Sequence, residues 1–137
     1  MDINTEAKKE KILIVDDEKA VREFLERFLR QKGFTNVSCA QNGEEALLFL
    51  EQEKRDVVFL DIKMPGVNGI KILRKIKAKY PETSVIMITA YAEREIAEEA
   101  LKEGAYDYIT KPFNLSYLEL SLLSKIATLN KTRGDEL

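Results

Sequence analysis

Three stretches of this chain, Ile12-Leu13-Ile14-Val15, Val57-Val58-Phe59-Leu60 and Val85-Ile86-Met87-Ile88, are uninterrupted apolar runs. Successive side chains of a strand point to opposite faces of a sheet. A run with no polar alternate must therefore be covered on both sides, as in a parallel sheet flanked by helices.

The segments between the runs supply the covering. Val21, Phe24, Leu25, Phe28 and Leu29 recur at helical spacing, and Gly33 stands where a left-handed cap is wanted. Val37–Ala40 reads as a short strand. Asn42-Gly43 turns the chain into a helix over 44–54, with Ala46, Leu47 and Leu50 inward. Pro65, Gly66 and Gly69 make 64–69 a loop. Ile70, Leu73 and Ile76 mark a third helix. Ile96, Ala97, Ala100 and Leu101 mark a fourth, closed by Gly104. Tyr106–Thr110 reads as the last strand, and Asn114 as the cap of a final helix to about Asn130. Leu115, Leu118, Leu122, Ile126 and Leu129 form that helix's core stripe. Leu120, Leu123 and Ala127 fall on roughly the opposite side, either as scattered exposed residues or as a partner contact. Five strands alternating with five helices, joined by right-handed crossovers, give a doubly wound α/β fold.

Composition closes off several functions. A net charge of −2 without a block of one sign offers no nucleic-acid or membrane surface. A single cysteine, Cys39, allows no internal disulfide and fits a reducing compartment. No stretch is long and apolar enough to span a bilayer and no signal-peptide pattern opens the chain, so a cytoplasmic location is expected. The absence of histidine leaves any chemistry to carboxylates, hydroxyls and lysines.

In doubly wound sheets the site lies beyond the carboxyl ends of the strands. Asp16-Asp17 follow the first strand, Asp61 the third, Thr89 the fourth and Lys111 the fifth. Three carboxylates at ~5 Å, with an effective dielectric of ~20, repel by roughly 3 kcal/mol per pair. Lys111 and a divalent ion would bring the formal sum to zero, and hard oxygen donors suit Mg²⁺. Asp61 can act as a nucleophile toward phosphorus, with Lys111, the metal and the Thr89 hydroxyl stabilising phosphoryl oxygens. Read singly, Asp16-Asp17 also suits a polar strand end that caps a helix, Thr89 an ordinary strand position and Lys111 a solvated loop.

Asp16-Asp17, Asp61-Ile62-Lys63-Met64-Pro65-Gly66-Val67-Asn68-Gly69, Thr89-Ala90 and Lys111-Pro112-Phe113 together resemble the motif set of two-component response-regulator receiver domains, of the chemotaxis-regulator kind. The resemblance covers 11–130, leaving a flexible tail at 1–10 and another at 131–137. It implies a flavodoxin-like sheet of strand order 2-1-3-4-5. It implies that Asp61 accepts a phosphoryl group from a sensor histidine kinase or a histidine phosphotransfer protein. Mg²⁺ would be held by Asp16, Asp17, Asp61 and the backbone carbonyl of Lys63. Lys111 would pair with Asp61 and then with the phosphoryl group, while Thr89 and Tyr108 would form the switch. The Lys111-Pro112 bond would be cis. Lys63 and Tyr91 would tune the phosphoryl lifetime. Output would pass through the face of the fourth helix, fifth strand and fifth helix, to an effector or a second copy. Such a domain is a regulator and not an enzyme.

Two other readings share these residues. A degenerate receiver would act as a binding scaffold without phosphorylation, although every acid, hydroxyl and lysine of the set is present. A Mg²⁺-dependent phosphatase with an aspartyl-phosphate intermediate would carry Asp-x-Asp after its first strand, whereas here the candidate nucleophile follows the third and its second neighbour is Lys63. The seven residues after Asn130 leave open a stand-alone regulator or a piece of a longer protein.

Overall fold

The computed structural model describes residues 8–64, 67–90 and 93–132, the side chains of 67 and 126–132 excepted. Pro65, Gly66, Tyr91, the terminal stretches 1–7 and 133–137, and the side chains of Ile126, Ala127 and Leu129 lie outside the described residues.

The elements follow one another as β1 (Lys8–Val15), α1 (Lys19–Gln31), β2 (Phe34–Ala40), α2 (Gly43–Gln52), β3 (Val57–Asp61), β4 (Lys63–Met64), β5 (Val67–Asn68), α3 (Gly69–Lys79), β6 (Ser84–Thr89), α4 (Arg94–Lys102), β7 (Asp107–Thr110) and α5 (Leu115–Thr132). The main sheet runs β2-β1-β3-β6-β7, with every neighbouring pair parallel. With the short β4/β5 ladder set aside, this is the expected order 2-1-3-4-5.

The apolar runs divide by parity. Ile12, Ile14, Val57, Phe59, Ile86 and Ile88 pack with Leu25, Phe28 and Leu29 of α1 and with Leu118 and Leu122 of α5. Leu13, Val15, Val58, Leu60, Val85 and Met87 pack with residues of α2, α3 and α4. Each fully buried side chain of this kind contributes about 1.5–3 kcal/mol. Among the described residues no helix is long and apolar enough to cross a membrane.

Local chemistry sets the ends. Gly33 and Gly104 follow α1 and α4 with φ of 99° and 103°, the left-handed region that a side chain disfavours. The Asn42, Asn68 and Asn114 side chains accept from the N–H groups of Glu45, Ile70 and Tyr117 at 2.8, 2.9 and 3.0 Å, capping α2, α3 and α5.

Several expectations change. β1 begins at Lys8, so the first three residues of the described chain belong to the sheet and not to a tail. β2 begins at Phe34, because it is an edge strand whose polar Thr35 and Asn36 need no second covering layer. The Arg30 guanidinium lies along that edge and donates to the carbonyls of Thr35 and Val37 at 3.1 and 3.3 Å. The segment expected to be all loop carries a two-residue antiparallel ladder, Lys63 opposite Asn68 and Met64 opposite Val67. Leu115, assigned to the core stripe, is exposed, as are Phe24 and Leu101 from the apolar spacings of the first and fourth helices. Phe24 instead stacks on Phe113, with ring centroids 5.7 Å apart.

Leu115 loses its core position to the other flank of α5. Asp107 Oδ2 accepts from the Tyr117 hydroxyl at 2.8 Å and from Ser121 Oγ at 2.6 Å, which draws the Ser121 side of the helix onto β7. Asp107 Oδ1 accepts from the Tyr108 amide at 2.7 Å. Asp107→Ala would leave the buried Ser121 hydroxyl unpaired. Its expected cost is about 1.5–3 kcal/mol, read as a lowered urea midpoint, with amide exchange accelerating first in α5.

Candidate functional site

The strand order reverses between β1 and β3, which pair through Val15 and Leu60. The crevice beyond those two residues is where a doubly wound fold binds its ligands. Asp16 follows Val15 directly, and Asp61 ends β3. Thr89 ends β6, and Lys111 follows β7, with its amide donating to the Thr89 carbonyl at 2.7 Å. All four are thus delivered to one edge by the register of the sheet.

Lys111 Nζ lies 2.8 Å from Asp16 Oδ2, 3.5 Å from Glu18 Oε1 and 3.6 Å from Asp61 Oδ2. The ammonium therefore sits nearest Asp16, although the resemblance pairs it with Asp61. Burial pulls the Lys111 pKa down, but the hydrogen bond to Asp16 and the charges of Asp61, Asp16 and Glu18 outweigh it, and the value rises. Asp16 is fully buried, and its Oδ1 accepts from the Glu18 amide at 2.9 Å. Its carbonyl accepts from Arg22 at 2.9 Å.

Asp61 is 3% exposed. Burial, then the charge of Asp16, push its carboxyl from 3.8 up to about 7, against the opposing pull of Lys111 and of the Lys63 amide. That amide donates to Asp61 Oδ1 at 3.3 Å. A further cation beside this carboxyl would favour its ionised form at neutral pH.

The donor set fits such a cation. Carboxylate oxygens of Asp16, Asp17 and Glu18 lie within 4.8 Å of one another. Asp17, Glu18, Asp61, Lys63, Met64, Ala90 and Lys111 line one cleft of about 410 Å³. All its charged acceptors are hard oxygens, the kind that Mg²⁺ takes, with room for the waters it retains. Glu18 is the member that the strand-end argument missed. Its signal was the unbroken acidic run Asp16-Asp17-Glu18.

Thr89 is fully buried and shares a hydrogen bond with the Tyr108 side chain. Tyr108 is half-buried, packs against the core face that holds α4, and also bonds the Glu93 backbone. Burial raises the Tyr108 pKa. The Lys63 side chain is exposed and pairs with Glu93 at 3.6 Å. The Lys111-Pro112 peptide bond is cis, as expected. The structure thus brings Asp17, Asp61, Lys63 and Lys111 into one cleft, buries Asp16 against Lys111 behind it and seats Thr89 against Tyr108. Tyr91 lies outside the described residues.

Comparison with known proteins agrees with this fold. Over 110 residues, 80% of its length, the chain is 47% identical to the regulatory protein AtoC of Escherichia coli, covering 24% of that protein. The chain spans between about a fifth and a half of the length of the curated relatives it matches. A CheY-like response regulator receiver domain protein of Methanospirillum hungatei superposes with a TM-score of 0.85 at 32% identity, over 91% of this chain and 99% of that one. A CheX-CheY-BeF3-Mg²⁺ complex from Borrelia burgdorferi matches with a TM-score of 0.79 at 31% identity, over 84% of this chain and 87% of that one. The family model of the response regulator receiver domain matches residues 12–122. This chain belongs to the response regulator receiver domain family.

Proposed function

We propose that this receiver domain is a phosphoacceptor switch in which Asp61 takes a phosphoryl group from a phosphohistidine donor in a Mg²⁺-dependent reaction. The observation that carries the reading is the convergence of a lysine on Asp16 and Asp61 inside a cleft rimmed by further carboxylates. The Borrelia complex, which contains BeF3 and Mg²⁺, supports the metal requirement.

In this reading a deprotonated Asp61 oxygen attacks phosphorus. The bond from phosphorus to the donor nitrogen breaks, and the imidazole keeps that electron pair. The product is a mixed anhydride on Asp61. Asp16, Asp17, Asp61 and the Lys63 carbonyl would hold the metal, and Glu18 lies within reach of the same site. When bound, the ion supplies charge neutralisation for the transferring phosphoryl oxygens. Lys111 exchanges its contact with Asp16 for one with the phosphoryl group. Thr89 turns its hydroxyl toward the same oxygens, so its hydrogen bond with Tyr108 must rearrange. Phosphorylation then shifts a pre-existing equilibrium by its differential contacts with the two states. The output face is α4, β7 and α5, toward an effector or a second copy. The site of action is the cytoplasm, and the domain assists only its own phosphorylation and dephosphorylation.

The test uses acetyl phosphate with and without Mg²⁺, followed by intact mass at short times. One added phosphoryl group that requires both Mg²⁺ and Asp61 is expected, with none on Asp61→Asn. If neither an adduct nor beryllofluoride binding is found in the wild type, the proposal is wrong.

A further inference from the structure

Glu93 occupies the N-cap of α4, where a side-chain oxygen ordinarily accepts from the first turn, yet it makes no cap hydrogen bond. Its carboxylate is instead directed to Lys63 Nζ, 3.6 Å away. Lys63 is held at its backbone, where its N–H donates a hydrogen bond to Asp61 Oδ1 at 3.3 Å. The Glu93 backbone carries two further contacts. Its carbonyl accepts from the Ala97 amide at 3.0 Å, starting α4, and the backbone bonds the Tyr108 hydroxyl that also meets Thr89. One residue therefore touches the cation beside the phosphoacceptor, the first turn of α4 and the aromatic switch.

Both members of the pair are about half exposed, at 46% and 55%. Exposed pairs of this kind are weak. A phosphoryl group on Asp61 would place about 1.5 to 2 negative charges on the Lys63 side of the cleft where the carboxylate had carried one. Such a charge outbids a single solvated carboxylate for the Lys63 ammonium.

We propose that Glu93 is a positioning residue that competes with the phosphoryl group for Lys63, so that phosphorylation opens the Lys63–Glu93 pair and frees the start of α4. The inference rests on the switch reading above and adds the physical link from charge at Asp61 to movement of α4. Thr89 and Tyr108 report the phosphoryl group by a hydrogen bond, whereas Lys63 and Glu93 report it by charge. The two routes meet at the Glu93 backbone.

The experiment titrates the full chain with beryllofluoride in the presence of Mg²⁺ at fixed ionic strength, following backbone amide signals. Wild type, Glu93→Gln, Glu93→Asp, Lys63→Met and the double variant Lys63→Met/Glu93→Gln are compared. Glu93→Gln is expected to lower the half-saturating concentration about 2–5-fold, within the range that weak exposed pairs allow. Glu93→Asp should stay near wild type. With Lys63→Met as background, Glu93→Gln should have less than half of its effect, because no ammonium is left to release. Without beryllofluoride, the amides of residues 94–97 in Glu93→Gln should already lie partway toward their bound positions. An equal factor in both backgrounds would reduce Glu93 to a distant charge and overturn the proposal, as would no change at all. Failure of the wild type to bind beryllofluoride overturns the switch reading, and this inference with it.

Discussion

Gly69→Ala is expected to destabilise the domain by about 3 kcal/mol, a drop on the order of 10 °C in Tm, and to slow phosphoryl uptake at Asp61. A Cβ built on Gly69 would stand 2.6 Å from the Asp61 carbonyl oxygen, 2.6 Å from Ile62 Cα and 2.7 Å from the Ile62 carbonyl oxygen. All three are backbone atoms, so no flexible side chain can yield. The Gly69 amide also donates to the Ile62 carbonyl at 2.8 Å, which holds the first turn of α3 directly against the end of β3. The methyl group must push α3 away from the strand or displace the Asp61-Ile62 backbone. Either movement shifts the Asp61 carboxyl against Lys111, whose Nζ lies 3.6 Å from its Oδ2. Thermal unfolding and acetyl phosphate uptake on the same variant separate the two effects. A variant with wild-type stability and uptake would mean that α3 does not in fact approach the strand so closely.

This glycine shows where the sequence is readable and where it is not. The position was legible as a chain breaker after Asp61, but the close approach between a helix and a strand end depends on tertiary packing. The fold was legible because the unbroken apolar runs demand two covering layers, and their parity does split between α1 with α5 and α2 with α3 and α4. The site was legible because the chemistry-bearing residues sit at strand ends, which a parallel sheet brings to one edge. Periodicity was weaker on the helices. It identified Leu118 and Leu122 correctly and misplaced Leu115, because a polar residue, Ser121, holds the neighbouring flank against Asp107. A rule that looks for apolar stripes does not register a serine that is buried through a hydrogen bond. Glu93 escaped for a related reason: it is an exposed acid in a chain with many, and its distance to Lys63 distinguishes it, whereas Glu18 carried the acidic run Asp16-Asp17-Glu18 as a signal that strand ends alone do not weigh.

The acidic site also has a cost, which Asp61→Asn should expose. With metal removed by EDTA at pH 8, this variant is expected to be about 2 kcal/mol more stable than the wild type. The folded state raises the Asp61 carboxyl from 3.8 to about 7, through burial first and the charge of Asp16 second. Between those values the native state binds a proton that the unfolded chain has released, so stability falls as pH rises. The Asp61 contribution is whole below about pH 4 and is lost through pH 7. At about 1.4 kcal/mol per pH unit the ceiling is near 4 kcal/mol, and relaxation at the open rim of the cleft brings it to about half of that. Lys111 and the Lys63 amide already oppose the shift, while Asp16 and Asp17 drive it. An amide at position 61 carries no charge at any pH, so the gap between variant and wild type should be clearly narrower at pH 5 than at pH 8. Mg²⁺ should narrow it at pH 8, because the ion binds the carboxylate form and stabilises the wild type more than the variant. Urea denaturation of both proteins at the two pH values, with EDTA or Mg²⁺, gives all four comparisons. A variant less stable than the wild type in EDTA at pH 8 would mean that Lys111 more than compensates the buried carboxylate. The domain would then need no metal to hold Asp61 ionised. The expected result instead makes the site a source of strain that a cation relieves, so that the fold gives up stability to keep a buried carboxyl beside Lys111.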